Sequence, residues 1–279
     1  MRLSVNVTNY SWPDGSASLG PRLADLGRAA DEAGVDTLWV SDHLIQADPN
    51  APPGAEMLEA YTTLGFIAGQ TERVRLGTMV TAGTLRPPAL LVKAVTTLDV
   101  LSGGRAWFGV GAGYHEDEAR AMGLPFPPVA ERFDRLEETL RLAIQMWSGD
   151  DAPFEGTHYR LERPVNNPNA VQRPHPPILI GGTGERRTLR LVAEYADACN
   201  LFDIPDGGET IKRKLSVLAE HCEAVGRPYA EIEKTLSTRL LPGETPDAFV
   251  QRCGTLAGLG MSMRSSSRPG RGWRTTWHA

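Results

Sequence analysis

The chain has 279 residues, of which 41% are hydrophobic and 23% are charged, a balance typical of globular proteins and too apolar for a disordered chain. Its length suits a single barrel of alternating strands and helices, and its formal net charge of -5 excludes a general attraction to nucleic acid or anionic lipid. No apolar run approaches the roughly 18 residues of a membrane-spanning helix, and the N-terminus lacks a signal peptide's apolar run, so we expect a cytoplasmic protein.

Strand-like and helix-like segments alternate along the chain. In the first half, the pattern predicts strand 3–7, helix 22–33, strand 36–40, helix 57–70, strand 73–81, a helix starting after Pro87 and Pro88, strand 106–110 and a long helix that includes 133–147. In the second half, it predicts strand 178–180, helix 186–195, strand 198–202, helix 210–225, strand 232–241 and helix 246–259. Between the halves, residues 152–175 form an insertion with a small hairpin at 154–159 and an irregular stretch rich in proline.

Repeated strand–helix units of near-uniform length predict a parallel sheet with right-handed crossovers, closed as a (β/α)8 TIM barrel rather than open. The eighth strand is doubtful, because the segment after Gly260 is rich in Ser, Arg, Gly and Pro and has no apolar run. We therefore assign residues 1–260 to the barrel domain and 261–279 to an atypical Arg/Ser-rich tail that we expect to lack order. The alternative is an unusual but ordered eighth strand at 261–265.

In such a barrel, the active site lies where the strands end. The second strand ends in Asp42 and His43, a carboxylate and an imidazole that can exchange a proton near neutral pH, although Asp42 also suits a capping role. The fifth predicted strand ends in the glycine-rich segment 181–184 directly before a helix, which is typical of a phosphate site. Glycines at 109, 111 and 113 indicate that a flat ligand approaches the backbone closely.

Several chemistries are excluded by what the strand ends lack. None of the four lysines lies there, which argues against a Schiff-base aldolase. No His, Asp and Glu cluster spans several strand ends, and the three cysteines have no metal-ligand spacing, so no metal site is expected. A nucleophile elbow is also missing. A bound organic cofactor is therefore the natural carrier of the chemistry.

Six segments carry a family resemblance: DTLWVSDH at 36–43, RLGTMVT at 75–81, LDVLSGGR at 98–105, GVGAGY at 109–114, PPVAERFDRL at 127–136 and PPILIGG at 176–182. In this combination and order, the chain resembles the bacterial luciferase-like superfamily of flavin and deazaflavin oxidoreductases, in particular its coenzyme F420-dependent branch. The likeness runs from residue 1 to about residue 260. It implies a barrel with the insertion beside a cofactor cleft.

The resemblance also implies roles for individual residues. The isoalloxazine-like ring would rest on the bulge of the third strand, where relatives often hold a non-proline cis peptide, with Asp42 and His43 nearby and His43 as the proton donor or acceptor. The implied cofactor contacts are Met79, Val80, Thr81, Gly111, Ala112 and Gly113 at the ring, and Gly181, Gly182 and Thr183 at the phosphate.

Three functions follow as hypotheses. The first is an oxidoreductase that transfers a hydride between F420 and a small organic substrate. The second is an FMN-dependent monooxygenase using FMNH2 and O2, which Phe133 disfavours because FMN-binding members often place a tyrosine there. The third is a non-catalytic flavin-binding or truncated barrel, which rests on the doubtful eighth strand. Relatives that act on sugar phosphates carry an acidic residue where this chain has Tyr114, which argues against that substrate.

The expected partners are a small-molecule substrate, a second copy of the chain in a homodimer, and a separate flavin or F420 reductase that supplies reduced cofactor. Nucleic acid and membranes are not expected partners.

Overall fold

The computed structural model describes residues 2–48, 51–52, 54–261 and 263–267, the last five as backbone only. Its strands are β1 (Arg2–Val7), β2 (Thr37–Val40), β3 (Arg75–Thr78), β4 (Thr81–Ala82), β5 (Phe108–Gly111), β6 (Phe154–Glu155), β7 (Arg160–Leu161), β8 (Ile178–Gly181), β9 (Ala198–Phe202), β10 (Glu233–Arg239) and β11 (Met263–Ser267). Its α-helices are α1 (Leu19–Glu32), α2 (Ala60–Ala68), α3 (Pro88–Leu101), α4 (Glu116–Ala121), α5 (Val129–Ser148), α6 (Thr188–Tyr195), α7 (Glu209–Val225) and α8 (Pro246–Ala257). The predicted alternation of strands and helices is confirmed.

The main sheet closes on itself as a parallel barrel. Its strand order is β3-β2-β1-β11-β10-β9-β8-β5-β4, so β3 and β4 lie at the two ends of the series. These two short strands are the halves of the single strand predicted at 73–81, interrupted at Met79 and Val80. A bridge between Leu76 of β3 and Ala106, just before β5, joins one end of the series to β5. At the other end of the series, β4 pairs with β5 directly. The predicted TIM barrel is therefore confirmed.

The structure contains the eighth barrel strand, β11, so the expectation that this segment lacks order is wrong for its residues. Its residues run parallel to both neighbours, with Met263 opposite Arg2 of β1 and opposite Thr235 of β10. A strand between two open parallel edges is selected by its backbone N–H and C=O groups, which need partners whatever the side chains are. A segment without an apolar run therefore did not reveal this strand. Residues 268–279 of the expected tail lie outside the described part of the chain.

The helices bury one face each against the barrel. In α5, Leu136, Leu140, Ala143 and Trp147 are buried, at the 3.6-residue spacing that predicted this helix. Each fully buried leucine contributes about 1.5–3 kcal/mol relative to an exposed one. Among the described helices, none is long and apolar enough to cross a membrane.

A second apolar layer lies inside the barrel. Trp39, Trp107, Leu179 and Ala198 form a buried cluster, and Met79 with its neighbour Val80 packs on it. The two indole rings are 5.6 Å apart and tilted by 54°. The Met79–Val80 peptide is cis, as the resemblance implied. This cluster supports the backbone at the point where β3 gives way to β4.

The insertion is fastened to α5. The hairpin predicted at 154–159 is present as antiparallel β6 and β7. The carboxylate of Glu138 accepts hydrogen bonds from the backbone N–H groups of Thr157, His158 and Tyr159, at 2.7 to 3.2 Å. A charged acceptor in such bonds contributes more than a neutral one. The hairpin is thus held beside the barrel by one buried side chain of α5.

Candidate functional site

A cavity of about 1020 Å³ opens at the carboxyl ends of the barrel strands. Its lining includes Asp42, His43, Met79, Val80, Gly111, Ala112, Gly113, Gly181 and Gly182. Of the predicted site residues, Thr81 and Thr183 are not part of the lining. Thr81 is fully buried, and its hydroxyl contacts the carboxylate of Asp42. The structure therefore brings residues from four separate strand ends to one cavity of a size suited to an organic cofactor.

The side chain of Val80 lies so close to the cavity floor that the neighbouring positions require glycine. A Cβ atom at Gly181 would lie 2.7 Å from Cγ2 of Val80, and one at Gly111 would lie 3.1 Å from the same methyl group. Gly113 has a φ of +79°, and a Cβ there would lie 2.9 Å from Cβ of Ala82. Within the protein, the side chains of Val80 and Ala82 lie closest to these glycines, and the approach of a flat ligand stays a prediction.

Asp42 does not contact His43. Its buried carboxylate forms a two-armed ion pair with Arg86, with distances of 2.6 and 3.0 Å, and accepts a hydrogen bond from Thr81 Oγ1 at 2.6 Å. Arg86 also contacts Glu59 at 2.5 Å. Burial alone would lower the pKa of Arg86, but the hydrogen bonds to Asp42 and Glu59 raise it above its ordinary value. Asp42 is thus paired with Arg86. The predicted pairing of Asp42 with His43 is wrong.

His43 is paired with Glu118 instead. Nδ1 of His43 lies 2.8 Å from Oε2 of Glu118, while Oε1 of Glu118 accepts the backbone N–H of Leu44 at 2.5 Å. Burial would raise the pKa of Glu118, but these hydrogen bonds and the attraction of His43 outweigh it and hold the pKa below its ordinary value. A carboxylate at Nδ1 keeps the proton on that nitrogen, which leaves Nε2 as the nitrogen that accepts or delivers a proton.

The free side of the imidazole is bordered by aromatic residues. The hydroxyl of Tyr114 lies 3.4 Å from Nε2 of His43, and the two rings meet edge to face with centroids 5.9 Å apart. His115 lies 5.7 Å from His43, ring to ring. Nδ1 of His115 accepts the backbone N–H of Glu118 and caps α4, so this histidine has a structural role.

Sequence reasoning missed Arg86, Glu59 and Glu118. Glu118 lies 75 residues from His43, on the short helix α4, which was not predicted as a separate element. A signal was present, since acidic residues follow the glycines of β5 closely. Of these acidic residues, Glu116 and Asp117 are exposed, whereas Glu118 turns toward the cavity.

Arg252 forms ion pairs with two carboxylates at the opposite rim of the cavity. Its guanidinium contacts Oε1 and Oε2 of Glu244 at 2.8 and 2.9 Å, and its Nη1 contacts Oδ2 of Asp203 at 2.7 Å. Thr238 donates a further hydrogen bond to Asp203. The hydrogen bonds from Arg252 and from the backbone N–H of Leu241 lower the pKa of Glu244 to about 2. The loop between β10 and α8 is therefore tied to the end of β9.

Glu244→Gln is expected to lower the Tm at neutral pH because it removes this ion pair. A carboxylate whose pKa falls on folding stabilises the fold fully above its unfolded pKa of about 4.5, and this contribution is lost as the pH falls toward 2. The difference in Tm between wild type and variant should therefore shrink below pH 4.5, as measured by thermal unfolding at a series of pH values. Glu220→Gln, at an exposed position of α7, is the control and should show no such pH dependence.

Metal and thiol chemistry find no support among the described residues. Within them, no group of three or more His, Cys, Asp or Glu side chains could hold a metal ion. The three cysteines are free and buried, and burial raises the pKa of Cys199 to about 12, so its thiol is unreactive at neutral pH.

Known proteins resemble this chain in sequence and in fold. The luciferase-like monooxygenase family matches residues 1–276. An F420-dependent glucose-6-phosphate dehydrogenase of Kineococcus radiotolerans is 34% identical over 258 residues, which are 88% of this chain and 71% of that enzyme. The enzyme of the same name from Nakamurella multipartita is 35% identical over 235 residues, which are 83% and 67% of the two chains. The chain thus spans about two thirds of the length of these relatives.

Two solved structures show the same fold at low sequence identity. An F420-dependent secondary alcohol dehydrogenase with a bound F420-acetone adduct has a TM-score of 0.81 at 16% identity, covering 95% of this chain and 92% of its own. The F420-dependent tetrahydromethanopterin reductase of Methanopyrus kandleri has a TM-score of 0.77 at 17% identity, covering 96% and 93%. The resemblance to F420-dependent proteins predicted from the sequence motifs is confirmed, and the chain belongs to the luciferase-like monooxygenase family.

Proposed function

We propose that this protein is an oxidoreductase that transfers a hydride between coenzyme F420 and a small organic substrate. The observation that carries the proposal is the carboxylate-oriented imidazole of His43, which faces a cavity whose floor is the bulge at Met79 and Val80. The similarity to enzymes named as F420-dependent, at 34 and 35% identity, supports the choice of cofactor.

The residues of the cavity fit a deazaflavin. The floor is apolar and free of bulky side chains at Gly111, Ala112 and Gly113, which suits a flat ring. The segment 181–184 leads to α6, whose first turn has no acidic residue, so the partial positive charge of the helix N-terminus is available to the cofactor phosphate. When bound, F420 accepts or gives up a hydride at its ring. Thr183 belongs to the phosphate contacts, and Thr81 supports the floor through Asp42.

The protein's own residues handle the proton. Glu118 holds Nδ1 of His43 in the protonated form, so Nε2 takes the proton of a substrate hydroxyl or returns it to a carbonyl oxygen. The hydroxyl of Tyr114 lies within hydrogen-bond distance of that nitrogen. Asp42 and Arg86 form a buried pair beneath the site and position the residues at the end of β2.

An anaerobic titration with F420 and FMN in parallel tests the cofactor. We expect F420 to bind at micromolar concentration or better, as a change in its fluorescence, and FMN to bind at least tenfold more weakly. The alternative is an FMN-dependent monooxygenase, which the name of the matching family favours. It predicts the reverse order of affinities and product formation that depends on oxygen. Absence of F420 binding would overturn the proposal.

Gly181→Ala is expected to lower the affinity for F420 about tenfold, since overpacking at a close contact costs about 1–3 kcal/mol. The new methyl group would lie 2.7 Å from Cγ2 of Val80 and push the floor toward the ring. Gly254→Ala on α8 is the matched control, because a Cβ there has nothing within 4 Å. The dissociation constant from the fluorescence titration is the measurement, and equal affinities of the two variants would contradict the predicted contact.

The proposal includes the cellular compartment of the enzyme and its protein partners. Three free cysteines suit the reducing cytoplasm. A separate reductase supplies the reduced cofactor, and a second copy of the chain completes a homodimer.

A further inference from the structure

Three acidic side chains of the cavity lining are each hydrogen-bonded to a basic side chain. Asp42 is paired with Arg86, Glu118 with His43, and Asp203 with Arg252. The guanidinium of Arg252 is also held by both oxygens of Glu244.

Among the residues whose side chains the structure describes, little positive charge at the cavity is left over for a ligand. No lysine is part of the cavity lining. Among the residues that the structure describes, Arg239 at the end of β10 is the one lining cation without a carboxylate partner.

A phosphomonoester would find few partners here. It carries close to two negative charges at neutral pH, and proteins bind such groups with forked arginines, several cations or a helix N-terminus. In the proposed function, the start of α6 already holds the phosphate of the cofactor. Of the cations in the described part of the cavity lining, a substrate phosphate would find Arg239 unpaired, or it would have to displace a carboxylate from Arg252, which costs an established ion pair.

Apolar side chains dominate one wall of the same cavity. The segment between β5 and the first turns of α5 contributes the lining residues Leu124, Pro125, Phe126, Val129 and Phe133. Several large apolar side chains at the cavity are open to solvent, with Tyr114 73%, Val129 57%, Phe202 53% and Leu241 48% exposed. Covering such surface with an apolar ligand gains about 25 cal/mol per Å².

We infer that the substrate is an uncharged, apolar alcohol, or the ketone or aldehyde formed from it, and not a sugar phosphate. The inference rests on the proposed function, since it names the substrate class of that site. In the oxidation, the C–H bond of the carbinol carbon breaks and its electron pair leaves with the hydrogen to oxidised F420. The O–H proton goes to Nε2 of His43, and the carbonyl double bond forms. The alcohol loses two electrons and F420 gains them.

The first experiment compares substrates of the F420-loaded protein. Reduction of F420 is followed by its loss of absorbance with 2-hexanol, cyclohexanol or glucose 6-phosphate. We expect kcat/KM for one of the two alcohols to exceed that for glucose 6-phosphate at least tenfold. A preference for glucose 6-phosphate overturns the inference and leaves the proposed function intact.

Two valine variants test the apolar wall. Val129→Glu places a charge in the lining, whereas Val250→Glu places one on α8 at a similarly exposed position, 63%, outside the lining. We expect Val129→Glu to raise KM for the preferred alcohol at least tenfold with little change in kcat, and Val250→Glu to leave both constants unchanged. Equal effects of the two substitutions would overturn the inference.

A binding measurement separates this inference from the proposed function. Should F420 fail to bind, or no compound be turned over, calorimetric titration of the protein with 2-hexanol, cyclohexanol and glucose 6-phosphate decides the substrate class. Binding of an alcohol that Val129→Glu weakens supports an apolar site. Binding of glucose 6-phosphate alone, or of none of the three, overturns it.

Discussion

Glu118→Gln is expected to lower kcat about 10²–10³-fold while F420 binds nearly as tightly as to the wild type, because general acid–base catalysis contributes about that factor. In the wild type, the carboxylate accepts the proton of His43 Nδ1 at 2.8 Å and leaves Nε2 without a proton. A glutamine amide in the same place donates to Nδ1. The imidazole proton then moves to Nε2, which can no longer accept the proton of a substrate hydroxyl.

Folding should survive this change, since the amide oxygen of glutamine can still accept the backbone N–H of Leu44. Glu116→Gln on the same helix is the matched control, because Glu116 is exposed and pairs with the exposed Arg120, and it should leave kcat unchanged. Single-turnover rates of F420 reduction are the measurement. Combining Glu118→Gln with His43→Gln should cost little more than His43→Gln alone. A multiplicative loss would show that the two residues act independently.

The architecture was predictable because hydrophobic periodicity is local and strong. The apolar residues of α5 recur at helical spacing, and strands such as β2 and β8 are short, mostly apolar runs, so these elements could be placed within a few residues of their observed ends. β11 has no such pattern. Its place is determined by two open strand edges contributed by β1 and β10, which no local segment of sequence contains.

The candidate site was predictable in position but not in pairing. Strand ends and glycines located the cavity, whereas the adjacency of Asp42 and His43 suggested a contact that does not exist. Asp42 and His43 lie in the loop after β2, and there the two neighbouring side chains turn toward different partners. Asp42 turns to Arg86, 44 residues away, and His43 turns to Glu118, 75 residues away. Pairings over such separations follow from the closed barrel and not from spacing along the chain.

Arg86→Met is expected to lower the free energy of unfolding by about 3–5 kcal/mol, the usual cost of leaving a buried charge without its partner. The side chain of Asp42 has no exposed surface and that of Arg86 is 14% exposed, so the carboxylate loses its charge partner in a largely buried place. Thr81 would remain as a hydrogen-bond donor to Asp42 but carries no charge. Urea unfolding followed by circular dichroism gives the difference, with m expected to stay unchanged.

The double variant Asp42→Asn with Arg86→Met distinguishes a lost charge partner from lost packing. Without the carboxylate, methionine has no buried charge to leave unpaired, so the double variant should regain most of the stability that Arg86→Met loses. Arg22→Met is the control for arginine removal as such, because Arg22 pairs with Asp14 at the surface and such pairs contribute at most about 1 kcal/mol. If the double variant is no more stable than Arg86→Met alone, the loss comes from packing around Tyr61, on whose ring Arg86 lies.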